Sequence, residues 1–195
     1  MLRRMVVVAW VTVLFAACSS YKGAPARLAQ PESMPASTAE GPLFIAADAY
    51  GEKSRQKAVF DADLTDKRVL AIDVLLENRG ERELVVRRVN IALELADQTE
   101  IPPAQALNVA AKLGSGGDTR AWTLGFGILG YAAASSREEE ERSARRADYQ
   151  GKEFPQERKL AKAESARGFV YFMPPRGTPP FSAATLTVEI GRAHV

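Results

Sequence analysis

The sequence predicts a mainly β chain: an antiparallel β-sandwich carrying a helical insertion. Two observations predict the strands and a third the insertion. Between residues 43 and 95, aliphatic and β-branched residues alternate with polar ones at a period of two, broken by turn residues. Two further runs of that kind, 168–173 and 184–190, stand near the other end of the chain. Between these halves, residues 103–160 lose the period of two and read as mainly helical.

Strand-like text begins at about Leu43 with LFIAADAYG, and KAVFDADL follows, in which Val59, Asp61 and Asp63 would lie opposite Phe60, Ala62 and Leu64. Next comes RVLAIDVLLENRGERELVVRRVNIALELAD, whose two β-rich runs flank Asn78-Arg79-Gly80-Glu81. Asn and Gly there supply turn backbone. In the first run Val69, Ala71, Asp73 and Leu75 alternate with Leu70, Ile72, Val74 and Leu76. In the second, Val85, Arg87, Val89, Ile91, Leu93 and Leu95 lie opposite Val86, Arg88, Asn90, Ala92 and Glu94. One face is apolar and the other mixed, the pattern of an antiparallel sheet with one face in a core. GFVYFM (168–173) and ATLTVEI (184–190) add two strands, separated by Pro174, Pro175, Pro179 and Pro180.

Three of these segments, ENRGERELVV, RRVNIALEL and ARGFVYFMPP, together resemble the small sandwich domains of the DUF4352 or telokin-like type, found in many bacterial lipoproteins and exported proteins. The resemblance covers about 43–102 and 160–191. It implies an immunoglobulin-like sandwich over 43–191. The chain has Ala163-Glu164-Ser165 where that family often has Pro-Gly before its aromatic strand.

The insertion begins with PPAQALNVAAKLG (102–114), a short helix opened by proline and closed by Gly114, after which Ser115-Gly116-Gly117 breaks it. AWTLGFGILGYAAA (121–134) is uncharged and contains three glycines. From Ser135 to Leu160 the text is helical and heavily charged. Ser135 or Ser136 can cap that helix, with Glu138–Arg142 and Glu141–Arg145 as i, i+4 pairs. Three readings of 121–134 compete. It is buried against the sandwich, or forms an exposed patch for a partner or second copy, or dips into a membrane. Trp122, Phe126 and Leu129 fall at i, i+4 and i+7, one helical stripe that serves any of the three.

The N-terminal text reads as an export signal. Arg3 and Arg4 precede MVVVAWVTVLFAA, an uncharged run too short for a bilayer span of roughly 20 residues but right for a signal-peptide core. Leu14-Phe15-Ala16-Ala17-Cys18 resembles the lipobox of bacterial lipoproteins, with Phe15 where the family usually has Leu, Val or Ile. The resemblance implies cleavage after Ala17 and a diacylglyceryl thioether on Cys18. An ordinary signal peptide cut nearby, or a short uncleaved anchor, is the alternative. On the lipoprotein reading 1–17 is the signal peptide and 18–42 a lipidated cysteine with a Pro/Ala/Ser tether. Ser19, where the family's sorting rule would use Asp for inner-membrane retention, implies the periplasmic face of the outer membrane.

Chemistry is sparse. Loss of Arg3 and Arg4 with residues 1–17 makes the basic residues equal in number to the 24 acidic ones. Such a balance argues against nucleic-acid binding. The chain has one cysteine, so no internal disulfide, and one histidine, His194, at its far end. A Ser–His or Cys–His nucleophile pair and a zinc site are therefore not expected. Gly114-Ser-Gly-Gly117 lacks the Lys-Ser/Thr of a phosphate-binding loop, so neither metal nor cofactor is expected. The function expected is a non-catalytic protein-binding or assembly module, anchored by lipid and engaging another envelope protein. A structural or membrane-interacting role through 121–134 is one alternative. A carboxylate-only enzyme using a pair such as Asp61 and Asp63 is the other.

Overall fold

The computed structural model describes residues 21–26, 29–114, 138–178 and 184–192. It is mainly β, with antiparallel sheets and helices. The first sheet, A, orders its strands β1-β2-β3-β8-β6: Ala36–Glu40, Leu43–Ala49, Leu70–Asn78, Ser165–Phe172 and Pro103–Ala104. In the second, B, β4 (Leu84–Leu95) is central, with β5 (Glu100–Ile101) and β7 (Glu157–Leu160) on one side and β9 (Ala184–Arg192) on the other. Helices α1 (Lys53–Phe60), α2 (Ala106–Gly114) and α3 (138–152) complete the described elements, beside a one-turn 3₁₀ helix at Pro31–Ser33.

Two hydrophobic cores explain the layering. Ile72, Val74 and Leu76 of β3, with Val170 and Phe172 of β8, meet Val86, Ile91 and Leu93 of β4 between the sheets. On the other side of sheet A, Phe169 and Tyr171 pack with Phe60 of α1, Val109 of α2 and Tyr149 of α3. Rings at the centre of this second core meet edge to face: the Phe169 centroid is 4.9 Å from both Tyr50 and Phe60. The order of layers is thus helices, sheet A, sheet B. The centre of sheet A is buried on both faces, and β3 therefore reads LAIDVLL with scarcely an exposed position. The expected alternation of one apolar and one mixed face does not describe it.

Four other expectations are corrected. Residues 53–60, expected partly as strand, are helical. Gln56, Val59 and Phe60 fall on one buried helical stripe, and Asp61 ends the helix in the left-handed region at φ 51°. Lys53, Arg55 and Gln56, just before the alternation that begins at Lys57, favour helix. Asn78–Glu81 is no hairpin but a corner where the chain leaves sheet A for sheet B. Asn78, fully buried, donates through Nδ2 to the carbonyls of Arg82 (2.7 Å) and Leu160 (2.9 Å) and accepts from Gly80 N–H (2.9 Å). Along β4 the inward positions switch phase, from Leu84 and Val86 to Ile91 and Leu93, at a bulge between Val86 and Ile91. Val85, Arg87, Val89, Ile91 and Leu93 therefore do not share one face.

The fourth correction concerns the limits of the insertion and the tether. Pro103–Ala104 and Glu157–Leu160, at the two ends of 103–160, are strands of sheets A and B. Among the described residues the helices within it are α2 and α3. Within the expected tether 18–42, Ala36–Glu40 pairs with β2 through a two-residue turn in which Gly41 takes φ +55°. Met34 is buried against Ala46 and Leu75, because its side chain fills the end of sheet A's outer face left open by the helices.

Candidate interaction surface

Nothing among the described residues covers the outer face of sheet B. Among the described residues β9, nine residues long, pairs with β4 alone, and its outward-pointing backbone N–H and C=O groups, those of alternate residues, have no partner strand there. Beside this edge a shallow groove of about 430 Å³ runs over β4, β5 and β9. Small residues make its floor: Ala92 and Thr187 are direct cross-strand partners, and Thr187 Oγ1 donates to the Ala92 carbonyl at 3.3 Å. Glu94, Glu100 and Glu189 stand round it, and among the described residues no basic side chain lines it. Glu94 and Glu100 are themselves direct partners in the β4–β5 ladder. Like charges opposite one another weaken a sheet. At the bulge Val89 is 67% exposed. The arrangement offers hydrogen-bond acceptors, negative charge and a strand edge, but no nucleophile paired with a base.

Carboxylates elsewhere are arranged structurally. Asp48 and Asp73 are direct cross-strand partners on β2 and β3, both buried. Arg55 reaches Asp48 Oδ2 at 2.5 Å and lies over the Tyr50 ring; Arg167 reaches Asp73 Oδ2 at 2.6 Å. Each acid has its own guanidinium, which leaves neither as a free general base. The third such pair, Arg88–Glu153 at 2.6 Å, joins β4 to α2, because Glu153 also accepts the Ala106 N–H at the start of that helix.

Asp61 and Asp63 do not face each other from a strand. Asp61 caps α1 and accepts the Lys22 N–H at 2.9 Å. Asp63 pairs with Lys53 at 2.8 Å, and that hydrogen bond, with one from Asp66 N–H, holds its carboxyl below the usual range. Cys18, Trp122, Phe126, Leu129 and His194 lie outside the described residues, as do Ser135 and Ser136. Glu138–Arg142 forms as expected, at 3.0 Å. Arg145 lies instead over the Tyr21 ring, 5.1 Å from its centroid. Among the described residues no group of three or more His, Cys, Asp or Glu is placed to hold a metal ion. No helix among them is long and apolar enough to cross a membrane.

The groove residues were missed in the sequence because Asn90, Glu94, Glu100, Thr187 and Glu189 look like ordinary outward positions of strands. The buried pairs had a signal: Asp48 and Asp73 each sit inside an apolar run, and an acid there needs a basic partner.

No family model matches the chain, and no curated protein does. Among solved structures it is similar to the yjhA protein from Bacillus subtilis, at 11% identity over 73% of each chain and a TM-score of 0.37.

Proposed function

We propose that this chain is a lipid-anchored envelope lipoprotein whose immunoglobulin-like sandwich serves as a non-catalytic protein-binding module, with its partner on sheet B. The observation that carries the reading is the contrast between the two outer faces. Helices cover the centre of sheet A, while among the described residues the edge of sheet B at β9 has no partner strand and lies beside an acidic groove. A partner strand added along β9 would satisfy the edge and meet Glu189, and a basic segment of the same partner lying across the groove would meet Glu94 and Glu100. The lipobox supports the anchor, and Cys18 is the residue that would carry it. Localisation at the periplasmic face of the outer membrane follows from Ser19 and belongs to the same proposal.

Photo-crosslinking in intact cells tests this. A crosslinking residue at Glu189 or Val89 should capture one protein, and one at Lys57 on α1 should not. Glu94→Lys together with Glu100→Lys should abolish the capture. Equal capture from both faces, or capture indifferent to the two lysines, would sink the reading.

A second reading, membrane contact through 121–134, is favoured by one observation. Gly114, the last described residue before that segment, lies beside Arg145, which stacks over Tyr21, three positions from Cys18. Vesicle binding by a Cys18→Ser chain that is lost on Trp122→Asp with Phe126→Asp would support it. Absence of such binding would reject it.

A further inference from the structure

The chain is attached to the body at Tyr21, three positions after Cys18 in the sequence. Tyr21 donates its hydroxyl to Asp148 of α3 at 2.5 Å, and burial with that bond raises its phenol well above the ordinary range. Asp148 also pairs with Lys152, which donates onward to the Val59 carbonyl of α1 at 2.7 Å. Lys22 N–H donates to Asp61, the Ala29 carbonyl accepts from Arg167 at 2.6 Å, and β1 then joins the edge of sheet A. Backbone, ring and strand contacts thus hold the segment at separate points along its length.

This changes the reach of the anchor. A free chain of about 25 residues has a root-mean-square span of roughly 25–30 Å. Three residue steps, from Tyr21 back to Cys18, extend at most about 11 Å. The start of the attached segment also lies on a particular side. Asp61 and Asp148 belong to the helical layer, on the opposite side of sheet A from sheet B.

We propose that residues 21–26 and 29–40 form a strap that seats the α1–α3 corner on the polar surface of the bilayer and turns the open face of sheet B toward the aqueous compartment. The inference rests on the lipid-anchored reading above. The occupant of that corner is the phospholipid headgroup layer, fixed by the short reach from Cys18. Exposed side chains there carry both signs, Lys53 beside Asp66 on the α1 side and Arg146 beside Glu139 on α3, so the anchor rather than net charge sets the contact. Salt, which screens exposed charges, should leave the orientation unchanged.

The full, lipidated protein in phosphatidylcholine vesicles containing a headgroup spin-labelled lipid provides the test. Fluorophores are placed singly through Lys57→Cys or Glu140→Cys on the helical side, or Thr185→Cys on β9. The strap predicts quenching several-fold stronger at Lys57→Cys and Glu140→Cys than at Thr185→Cys. In Tyr21→Ala with Lys22→Pro, which removes the ring, the hydroxyl and the N–H donor, the difference should collapse while the circular dichroism spectrum stays unchanged. Equal quenching in the unaltered strap, with the lipid mass present on the Cys18 peptide, overturns the orientation and leaves the anchor standing. No lipid mass and no flotation with vesicles overturns the anchored reading, and the orientation with it.

Discussion

Asp73 has no exposed side-chain surface, and Arg167 holds it with a bidentate fork while donating a third bond to Ala29. Removing one partner from such a pair leaves a charge in the interior, at a cost of about 3–5 kcal/mol. Arg167→Ala is therefore expected to lower unfolding stability by that order, measured by urea titration. It should also loosen the strap at Ala29, seen as faster amide exchange over 29–40. Arg167→Leu with Asp73→Leu removes both charges and should come much closer to the parent. If the single and double variants lose equally, the pair is not what holds this part of sheet A.

Where elements meet, the joints are made by backbone approach as much as by side chains. Phe154, just after α3, donates its N–H to the Phe169 carbonyl of β8 at 2.8 Å, and Glu153 bridges the same strand. Gly168 makes this approach possible: a Cβ there would lie 2.7 Å from the Phe154 N and Cα. Relief requires a backbone shift, so Gly168→Ala should cost about 1–3 kcal/mol. Thermal unfolding checks it; a melting temperature equal to the parent's would mean that the α3–β8 joint moves freely. Gly151, with nothing near its absent side chain, is the control at which alanine should be tolerated. The Asn78 corner follows the same logic, since its amide replaces the ladder bonds that a hairpin would have made between β3 and β4.

For the molecule as a whole, the second core carries a pH signature. Burial raises the phenols of Tyr149 and Tyr171 well above the ordinary tyrosine range. A tyrosine that keeps its proton longer folded than unfolded contributes stability that is complete below the unfolded value. That contribution is lost as pH rises toward the folded one. Unfolding free energy should thus show no tyrosine-dependent change up to about pH 10. Above that it should fall by up to about 1.4 kcal/mol per pH unit for each such tyrosine. Urea titrations at pH 8, 10 and 11 measure this, and Tyr149→Phe should make the alkaline slope shallower. An unchanged slope would place the alkaline loss elsewhere.

Local pattern determined much of this architecture. The strands around Leu43–Ala49, Leu70–Asn78, Leu84–Leu95, Ser165–Phe172 and Ala184–Arg192 follow from their alternating or continuous apolar text, whereas α2 begins at Ala106 and not at the prolines, because Pro103 lies in β6. Period and turn chemistry are properties of neighbouring residues, so they survive without a fold. Tertiary structure alone decided which strands pair and what lies outward. Nothing local distinguishes a corner from a hairpin at Asn78; the partners that settle it, Leu160 and Glu164, lie some eighty residues away. The helix at Lys53–Phe60 is stabilised by Gln56, Val59 and Phe60 packing under sheet A, and the strap by Asp148, Asp61 and Arg167. The groove depends likewise on β4, β5 and β9 coming together from distant stretches of chain. A residue's own preference is a few tenths of a kcal/mol to about one, whereas burying an aromatic side chain is worth two to three. Where the two conflicted, as at Val59 and Phe60, packing prevailed.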